Sequence, residues 1–587
     1  MNEVGMKVSD YIVWKLSQYG IHHVFMLPGG GCMYLVDALA RQSDIKVVTL
    51  LHEQSVGIAA EAYAQFTGKA GVSLVTTGPG GTNAITACAA AWTDSTPTLF
   101  ISGQVKTSDN GSKFGMRQLG FQELPITEIV RPITKKSILI ESADSVPRIF
   151  DDMLSLANSG RPGPVWLDIP LDIQNQEIAA YDSLMETIPT KPVKLSEEVA
   201  DLISAIGKSK KPLFLIGNGI RLCGGLTQME ELIDLSQIPA LLTWKMIDFL
   251  DEKNNLNAGR PGAIAQPWSN LIQEESDLII CLGARIDTGQ SSYNLSNFGQ
   301  KAIKYIIDID MLELNKFPAN KSFKTLNYDL ADFLPELFIQ LSRYKNIESN
   351  FNRSIWLKEI NVLKNNLGDV FESKKSKTNS VNVYSLISNL SELLDTTSII
   401  VPGSSGACSE VMMQSFRIKK GQRVFNSEGL GPMGFAIPAA LGACIASGGR
   451  RIISIDGDGG FLMNLQELAS VKMHADNIIF FVLNNNGYGS IKLTQDKLFS
   501  GRRFGTDPSN GLALVNLREI ARAFEFTYEI LRNEYTLVDD LRRILAKKSS
   551  VIVEVMVDPD QITLPRVKTI RDDKGNPLPS DMKVMDY

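Results

Sequence analysis

Asp458 stands between glycines at the end of one apolar run, in IISIDGDGGF, and three asparagines, Asn484 to Asn486, close the next, in IIFFVLNNNG. A carboxylate and an amide oxygen, with nearby backbone carbonyls, are hard oxygen donors of the kind that hold Mg2+ when a bound phosphate and water complete its octahedron. The segment between them says how they could meet. RIISI reads as a buried strand, GDGG as a turn, and NIIFFVL as a second strand, with a helix from Phe461 to about Ala475 marked by Leu462, Leu465, Leu468 and Ala469. A right-handed crossover makes the two strands parallel, so Asp458 and Asn485, 27 positions apart, leave the sheet at the carboxyl edge where open α/β sheets bind ligands. Gly457, Gly459, Gly460 and Gly487 let backbone approach a diphosphate, and the helix starting near Phe461 offers it amide donors. GDGG or NNNG alone reads as a tight turn. Together, at this separation, they describe a cation and diphosphate site in which Asn486 has no evident role.

The rest of the chain must position this pair. Its 587 residues exceed one hydrophobic core. Strand and helix patterns alternate in three segments, which predicts three doubly wound parallel-sheet α/β domains: residues 1–185, 190–345 and 380–560. A charged, Asn-rich linker over 346–379 joins the second to the third. A polar, Pro-containing tail follows at 561–587, either a loose end or a segment folded over the site. With 44% apolar and 21% charged residues and a net charge of −6, the composition excludes a basic nucleic-acid surface. Cys32, Cys88, Cys223, Cys281, Cys408 and Cys444 form no CxxC pair, and there are only four histidines, so neither a zinc site nor a disulfide framework is expected. No membrane span or targeting segment is evident, and a reducing cytoplasm is the expected setting.

The GDG and NN pair resembles the signature of thiamin diphosphate enzymes, in which the Asp, the second Asn and a carbonyl two residues on hold Mg2+; here these are Asp458, Asn485 and Gly487. Such enzymes also need a glutamate beside the aminopyrimidine to shuttle a proton to and from the cofactor. Glu53, just after the strand VVTLL in LLHEQSVGIAAEAYAQF, stands at that motif position. The blocks FMLPGGGCMYLVDAL, TTGPGGTNAITACAAAWTDSTP, ISGQV, FQE, SGRPGPVWLDIPLD, GARID and GLGPMGFAIPAALGA occur in the order found in acetohydroxyacid (acetolactate) synthases, and the likeness covers the chain except its tail.

That resemblance implies roles for further residues. Gly29, Gly30, Pro79, Asn83, Gly403, Ser404, Ser405 and Tyr488 would contact the cofactor, Met433 would wedge beneath it, and Gln122 would join Glu53 in catalysis. The central domain would hold FAD through Arg161, Gly217, Gly219, Thr243, Arg285, Asp287, Asp308 and Asp310. GARID continues TGQS, however, without the family's second arginine, and a lone GNG is also only a strand-to-helix turn. Because the family builds each site from the Glu53 domain of one chain and the Asp458 domain of another, the resemblance implies at least a homodimer, or a homotetramer.

Two departures bear on the reaction. The family's IPKD lysine is Leu171, and the tryptophan nine residues after the metal-binding asparagine is Thr494. An anionic second oxo acid loses a neighbour, and the acceptor pocket is remodelled. NGYGSIKLTQ, the GRPG at 259–262 and the NPLPSDM ending are similar to acetolactate-synthase-like carboligases of bacterial surface-polysaccharide pathways, of the yersiniose-type branched-sugar synthase kind. This predicts decarboxylation of pyruvate and transfer of the two-carbon unit to a ketone on a CDP-4-keto-3,6-dideoxy sugar. Acetolactate synthesis from two pyruvates is the alternative. A pyruvate oxidase using the FAD and a non-catalytic scaffold are the others.

Overall fold

A computed structural model describes residues 5–178, 195–347, 353–371, 379–574 and 577–587. The expected boundary at 185–190 lies outside these residues. Each of the three segments folds as a six-stranded parallel sheet, as its apolar runs predict for strands covered on both faces.

The three sheets share one winding. In the N-terminal sheet the chain runs outward from His23–Met26 to Lys46–Thr49, then returns to pair Gly71–Val75 on the other side of His23–Met26. The central sheet does the same from Pro212–Ile216, with Ala240–Leu242 on one side and Leu278–Leu282 on the other. The C-terminal sheet repeats it from Ile399–Pro402, with Arg423–Val424 and Ile452–Gly457 as neighbours. Each reversal opens a crevice at the carboxyl ends of two adjacent strands, the topological switch point where such sheets bind ligands. The loops leaving those strands carry Gly29 and Gly30 beside Gly78 and Pro79, Gly217 and Gly219 beside Gly283, and Gly403 to Ser405 beside Asp458.

The first and third domains share one apolar core. Helix Glu53–Thr67 lies against helix Ala436–Ala446, both alanine-rich. A Cβ at Gly442 would sit 2.2 Å from the Ala59 carbonyl oxygen, so this close approach requires glycine.

One expectation changes, and one of the two readings of the tail is excluded. The stretch taken as a linker contains helix Ser354–Leu367, which belongs to the central domain. Trp356 and Ile360 are buried there, Trp356 Nε1 donates to Pro212 O at 3.1 Å, and Arg353 donates to Ile206 O at 2.8 Å. The charged residues of this helix lie outside an apolar stripe formed by Trp356, Ile360, Leu363 and Leu367, a helical spacing that the composition masks. The tail, for its part, is docked rather than loose. Met582 is fully buried, and its carbonyl accepts from Asn270 Nδ2 at 3.0 Å. Pro565 O accepts from Gln414 Nε2 at 2.6 Å, and Arg566 pairs with Glu410 at 3.3 Å, so the tail bridges the central domain and helix Ala407–Ser415 of the third. Among the described residues no helix is long and apolar enough to cross a membrane.

Candidate functional site

Asp458 and the asparagine turn meet as the crossover requires. Strands Ile452–Gly457 and Ile478–Asn484 are parallel neighbours in register, and Gly487 N donates to Asp458 Oδ2 at 2.9 Å across 29 positions. Gly459 N donates to the other carboxylate oxygen at 2.8 Å. Burial pushes the Asp458 carboxyl up to about 6 against the pull of these two amides. Asp456, two residues earlier, is buried with Oδ2 unpartnered, and burial raises it to about 7. No cluster of three or more His, Cys, Asp or Glu side chains suited to a metal occurs among the described residues. A cation here therefore depends on Asp458, on Asn485 and backbone oxygens, and on oxygens from its ligand.

The glycines divide into two kinds. A Cβ at Gly459 would lie 2.3 Å from the Tyr488 ring, one at Gly460 2.5 Å from Asp456 Oδ1, and one at Gly487 2.0 Å from Thr506 O. These three are demanded by the protein's own atoms, contrary to the expectation that they clear space for a ligand. Gly457 alone of the four faces open space, with nothing within 4 Å. The helix begins at Asp458, three residues early, and is interrupted: Asp458–Phe461, a 3-10 turn at Leu462–Asn464, then Glu467–His474. Asn464 is turned inward to donate to Gly434 O at 2.8 Å, which ties this interruption to the segment carrying Met433. Asn486 now has a role: its φ of +59° is a left-handed conformation that asparagine tolerates, and its N–H donates to Asn484 Oδ1 at 3.0 Å.

The other C-terminal residues gather at the same switch point. Gly403 N donates to Ile455 O at 2.7 Å, and a Cβ there would meet Asp456 Oδ1 at 2.3 Å. Ser404 O lies 3.3 Å from the position of a Cβ on Gly431, which brings the segment leading to Met433 beside Ser404. Met433 Cε reaches to 3.6 Å from the position of a Cβ on Gly459.

The N-terminal set forms a second cluster. Glu53 is the first residue of its helix and is buried, and its Oε2 accepts from Asn83 Nδ2 at 3.0 Å. Pro79 opens the short helix Pro79–Asn83, and Gly78, at φ +59°, makes room for Gln122 O. Gln122 is exposed at φ +65° beside Phe121, which is 87% exposed. Gly29 packs on Thr76, while nothing lies within 4 Å of a Cβ at Gly30. Within the chain, Glu53 is bonded to its own domain and Asp458 to its own.

A cavity of about 1470 Å³ between the N-terminal and central domains is lined by Arg161, Gly217, Gly219, Thr243, Arg285, Asp287 and Asp308. Its cations are already paired. Arg161 bonds Asp310 at 2.8 Å and Glu313 at 2.9 Å, Arg285 bonds Thr93 O at 2.7 Å and Asp287 at 3.2 Å, and Lys245 bonds Asp94 at 3.0 Å. Asp308, at the end of its strand, is raised by burial and accepts from Asp310 N at 2.9 Å. A carboxylate at this strand end suits ribose hydroxyls, while Gly217, Gly219 and Gly283 pack on one another's backbone, a Cβ at Gly217 meeting Gly283 O at 2.1 Å.

Sequence reasoning missed three residues that organise these sites. Lys245 joins all three domains by donating to Asp94, to Gln65 Oε1 at 3.1 Å and to Asn426 O at 2.7 Å. Arg260, of the GRPG motif, is buried and donates to Met413 O at 2.7 Å, Phe416 O at 2.9 Å and Glu252 at 2.9 Å, clamping the end of the helix that begins just after Ser405. Lys492 is buried beside the asparagine turn. GRPG was legible as a motif; the two lysines sit in patterns that read as solvated.

Three family models match the chain in order: the thiamine pyrophosphate enzyme N-terminal TPP binding domain over 6–129, the central domain over 199–337 and the C-terminal TPP binding domain over 404–555. Fold and site thus define a thiamin diphosphate-dependent enzyme. The chain is 30% identical over 566 residues to the acetolactate synthase large subunit of Lactococcus lactis subsp. lactis (strain IL1403), covering 95% of this chain and 94% of that one. It is 32% identical over 509 residues to a chloroplastic acetolactate synthase of Arabidopsis thaliana, covering 85% and 73%. It is 29% identical over 563 residues to acetolactate synthase isozyme 1 large subunit of Escherichia coli (strain K12), covering 95% of each. The chain belongs to the acetolactate synthase family.

Proposed function

We propose that the chain is a carboligase that decarboxylates pyruvate and passes the two-carbon unit to a carbonyl acceptor. Bound thiamin diphosphate supplies the nucleophile and electron sink for the decarboxylation. Asp458, Asn485 and the Gly487 carbonyl would hold Mg2+, and the open space at Gly457 fits the diphosphate. Met433 would support the cofactor beside Gly459, and Gly403 to Ser405 would line its ring. Glu53, fixed by Asn83, would hold and return the proton, from a neighbouring copy of the chain in a homodimer or homotetramer. The cavity between the N-terminal and central domains would hold FAD, with Asp308 toward a ribose.

The observation that carries this reading is the meeting of Asp458 with the Asn485–Gly487 turn at the carboxyl ends of two adjacent strands, next to the C-terminal switch point. The relatives' names favour a second pyruvate as acceptor, giving acetolactate. A CDP-4-keto-3,6-dideoxy sugar is favoured by Leu171, partly buried at the start of helix Leu171–Gln174, and by Thr494, exposed with its hydroxyl turned back to Ser490 O at 3.0 Å. Neither position offers a cation to an oxo acid or an indole to a pocket wall.

Protein, Mg2+, thiamin diphosphate and pyruvate, with and without the keto sugar, separate the two. Equal acetolactate in both, with no branched sugar by mass spectrometry, assigns pyruvate as acceptor. A branched sugar formed at the expense of acetolactate assigns the sugar. Absence of CO2 release from pyruvate would overturn the donor, and an ultraviolet-visible spectrum without flavin bands would overturn FAD.

A further inference from the structure

Helix Gly489–Phe499 is packed the wrong way round. Of its 11 residues Lys492 is the buried one, at 2% exposure, while Ile491, Leu498 and Phe499 are about half exposed. A lysine is almost never buried without partners, and apolar side chains normally take the inner face. What Lys492 reaches accounts for the inversion. Its ammonium donates to Asn485 O at 3.1 Å and Asn486 O at 2.7 Å, two successive carbonyls of the turn that carries the metal-binding oxygens. Asp458 and Asp507 are the carboxylates whose charge it feels, with Arg503 and Asp560 also near. Thr506, next to Asp507, closes the far side of the turn by accepting from Tyr488 N at 2.9 Å.

Two needs of the site coincide at this ammonium. The turn has its middle residue, Asn486, in the left-handed region and Gly487 at φ +129°, so its carbonyls point away from a regular ladder and require donors. A diphosphate together with the Asp458 carboxylate carries more negative charge than one Mg2+ neutralises, and in a buried site the excess must be met by fixed positive charge.

We propose that Lys492 is a positioning residue of the cofactor site, holding the Asn485–Gly487 turn in its metal-binding shape and offsetting the diphosphate's remaining charge. This rests on the reading of the turn as a Mg2+ and thiamin diphosphate site. The test uses the full chain freed of cofactor. Mg2+-dependent binding of thiamin diphosphate is titrated calorimetrically for wild type, Lys492→Met and Lys492→Arg, alongside thermal unfolding of each cofactor-free protein and CO2 release at saturating Mg2+.

Lys492→Met should raise the half-saturating Mg2+ concentration by about 10 to 100-fold, the usual effect of losing a group that orients metal ligands. CO2 release at saturation should fall far less, Lys492→Arg should recover most of the affinity, and the cofactor-free unfolding temperature of Lys492→Met should fall by no more than a few degrees, the cost of two carbonyls left without a donor. Wild-type affinity in Lys492→Met would overturn the proposal. So would an affinity loss that tracks a drop in unfolding temperature and is not recovered by Lys492→Arg, since that describes a structural lysine. A wild-type protein that binds no thiamin diphosphate would overturn the cofactor reading instead.

Discussion

The asparagine turn, one strand over from the C-terminal switch point, and the central cavity both lie at carboxyl edges of parallel sheets, yet they are built in opposite ways. At the turn, space is scarce: Tyr488, Asp456 and Thr506 press on Gly459, Gly460 and Gly487, and only Gly457 opens outward. The cavity is large, about 1470 Å³, and its charge comes from side chains of different domains already paired with one another. The turn site is fixed by groups near it in sequence, Asp456, Tyr488, Lys492 and Thr506. A site made where domains meet is fixed by cross-domain pairs such as Arg161 with Asp310 and Lys245 with Asp94.

The largest effect that would test this contrast is at Glu53. Glu53→Gln should lower the rate of CO2 release from pyruvate by about 10² to 10⁴-fold, as loss of a general acid and base does, with thiamin diphosphate binding and any flavin spectrum unchanged. A variant releasing CO2 at the wild-type rate would remove Glu53 from the chemistry.

Arg260→Met probes the junction next. It leaves Glu252, Met413 O and Phe416 O without their buried partner, so denaturant unfolding should report a loss of roughly 3 to 5 kcal/mol. The loss should fall on the transition that involves the central domain and the helix after Ser405. An unchanged transition would mean the domains are coupled elsewhere.

The two kinds of glycine give a sharper comparison. Gly459→Ala forces a Cβ against the Tyr488 ring and should cost about 1 to 3 kcal/mol of cofactor-free stability. Gly457→Ala, at an extended φ of −79° with open space ahead, should change that stability by less than about 0.5 kcal/mol yet weaken thiamin diphosphate binding. If Gly457→Ala binds the cofactor normally, the diphosphate lies elsewhere.

The smallest effect is in pH. Burial, with the charges of Asp287 and Asp94, pushes the Glu428 carboxyl up to about 7, and burial with Asp94 raises Glu61. Their folded values lie above the unfolded ones, so the folded chain holds more protons. The stability they contribute is present at acid pH and is lost as pH rises through about 7 for Glu428 and about 8 for Glu61. Glu428→Gln should flatten the fall of the unfolding temperature between pH 5 and 8, an effect on the order of 1 kcal/mol.

The strand ends, the crossover and the two halves of the metal motif were legible because each is local: apolar period, glycine turns and the handedness of one connection place Asp458 and Asn485 on one edge. The helix at Ser354–Leu367 was missed because charged and asparagine residues outnumber its Trp356 and Ile360 stripe. Lys492 was missed for a different reason. A lysine in a helical pattern reads as facing water, and only the carbonyls of Asn485 and Asn486, turned outward by a left-handed residue, make an inward direction favourable.

By itself, then, the sequence determined the three sheets, the switch-point loops and the placing of Asp458 and Asn485 at one sheet edge, since these follow from periodicity and residue chemistry along short stretches. Only the tertiary structure decided which glycines are demanded by the protein's own atoms, that the tail docks, and that Arg161, Arg285 and Lys245 at the cavity are already paired. Those outcomes depend on distances between residues remote in the chain, as between Lys245 and Asp94 or Asn270 and Met582, which are set by packing whole domains together.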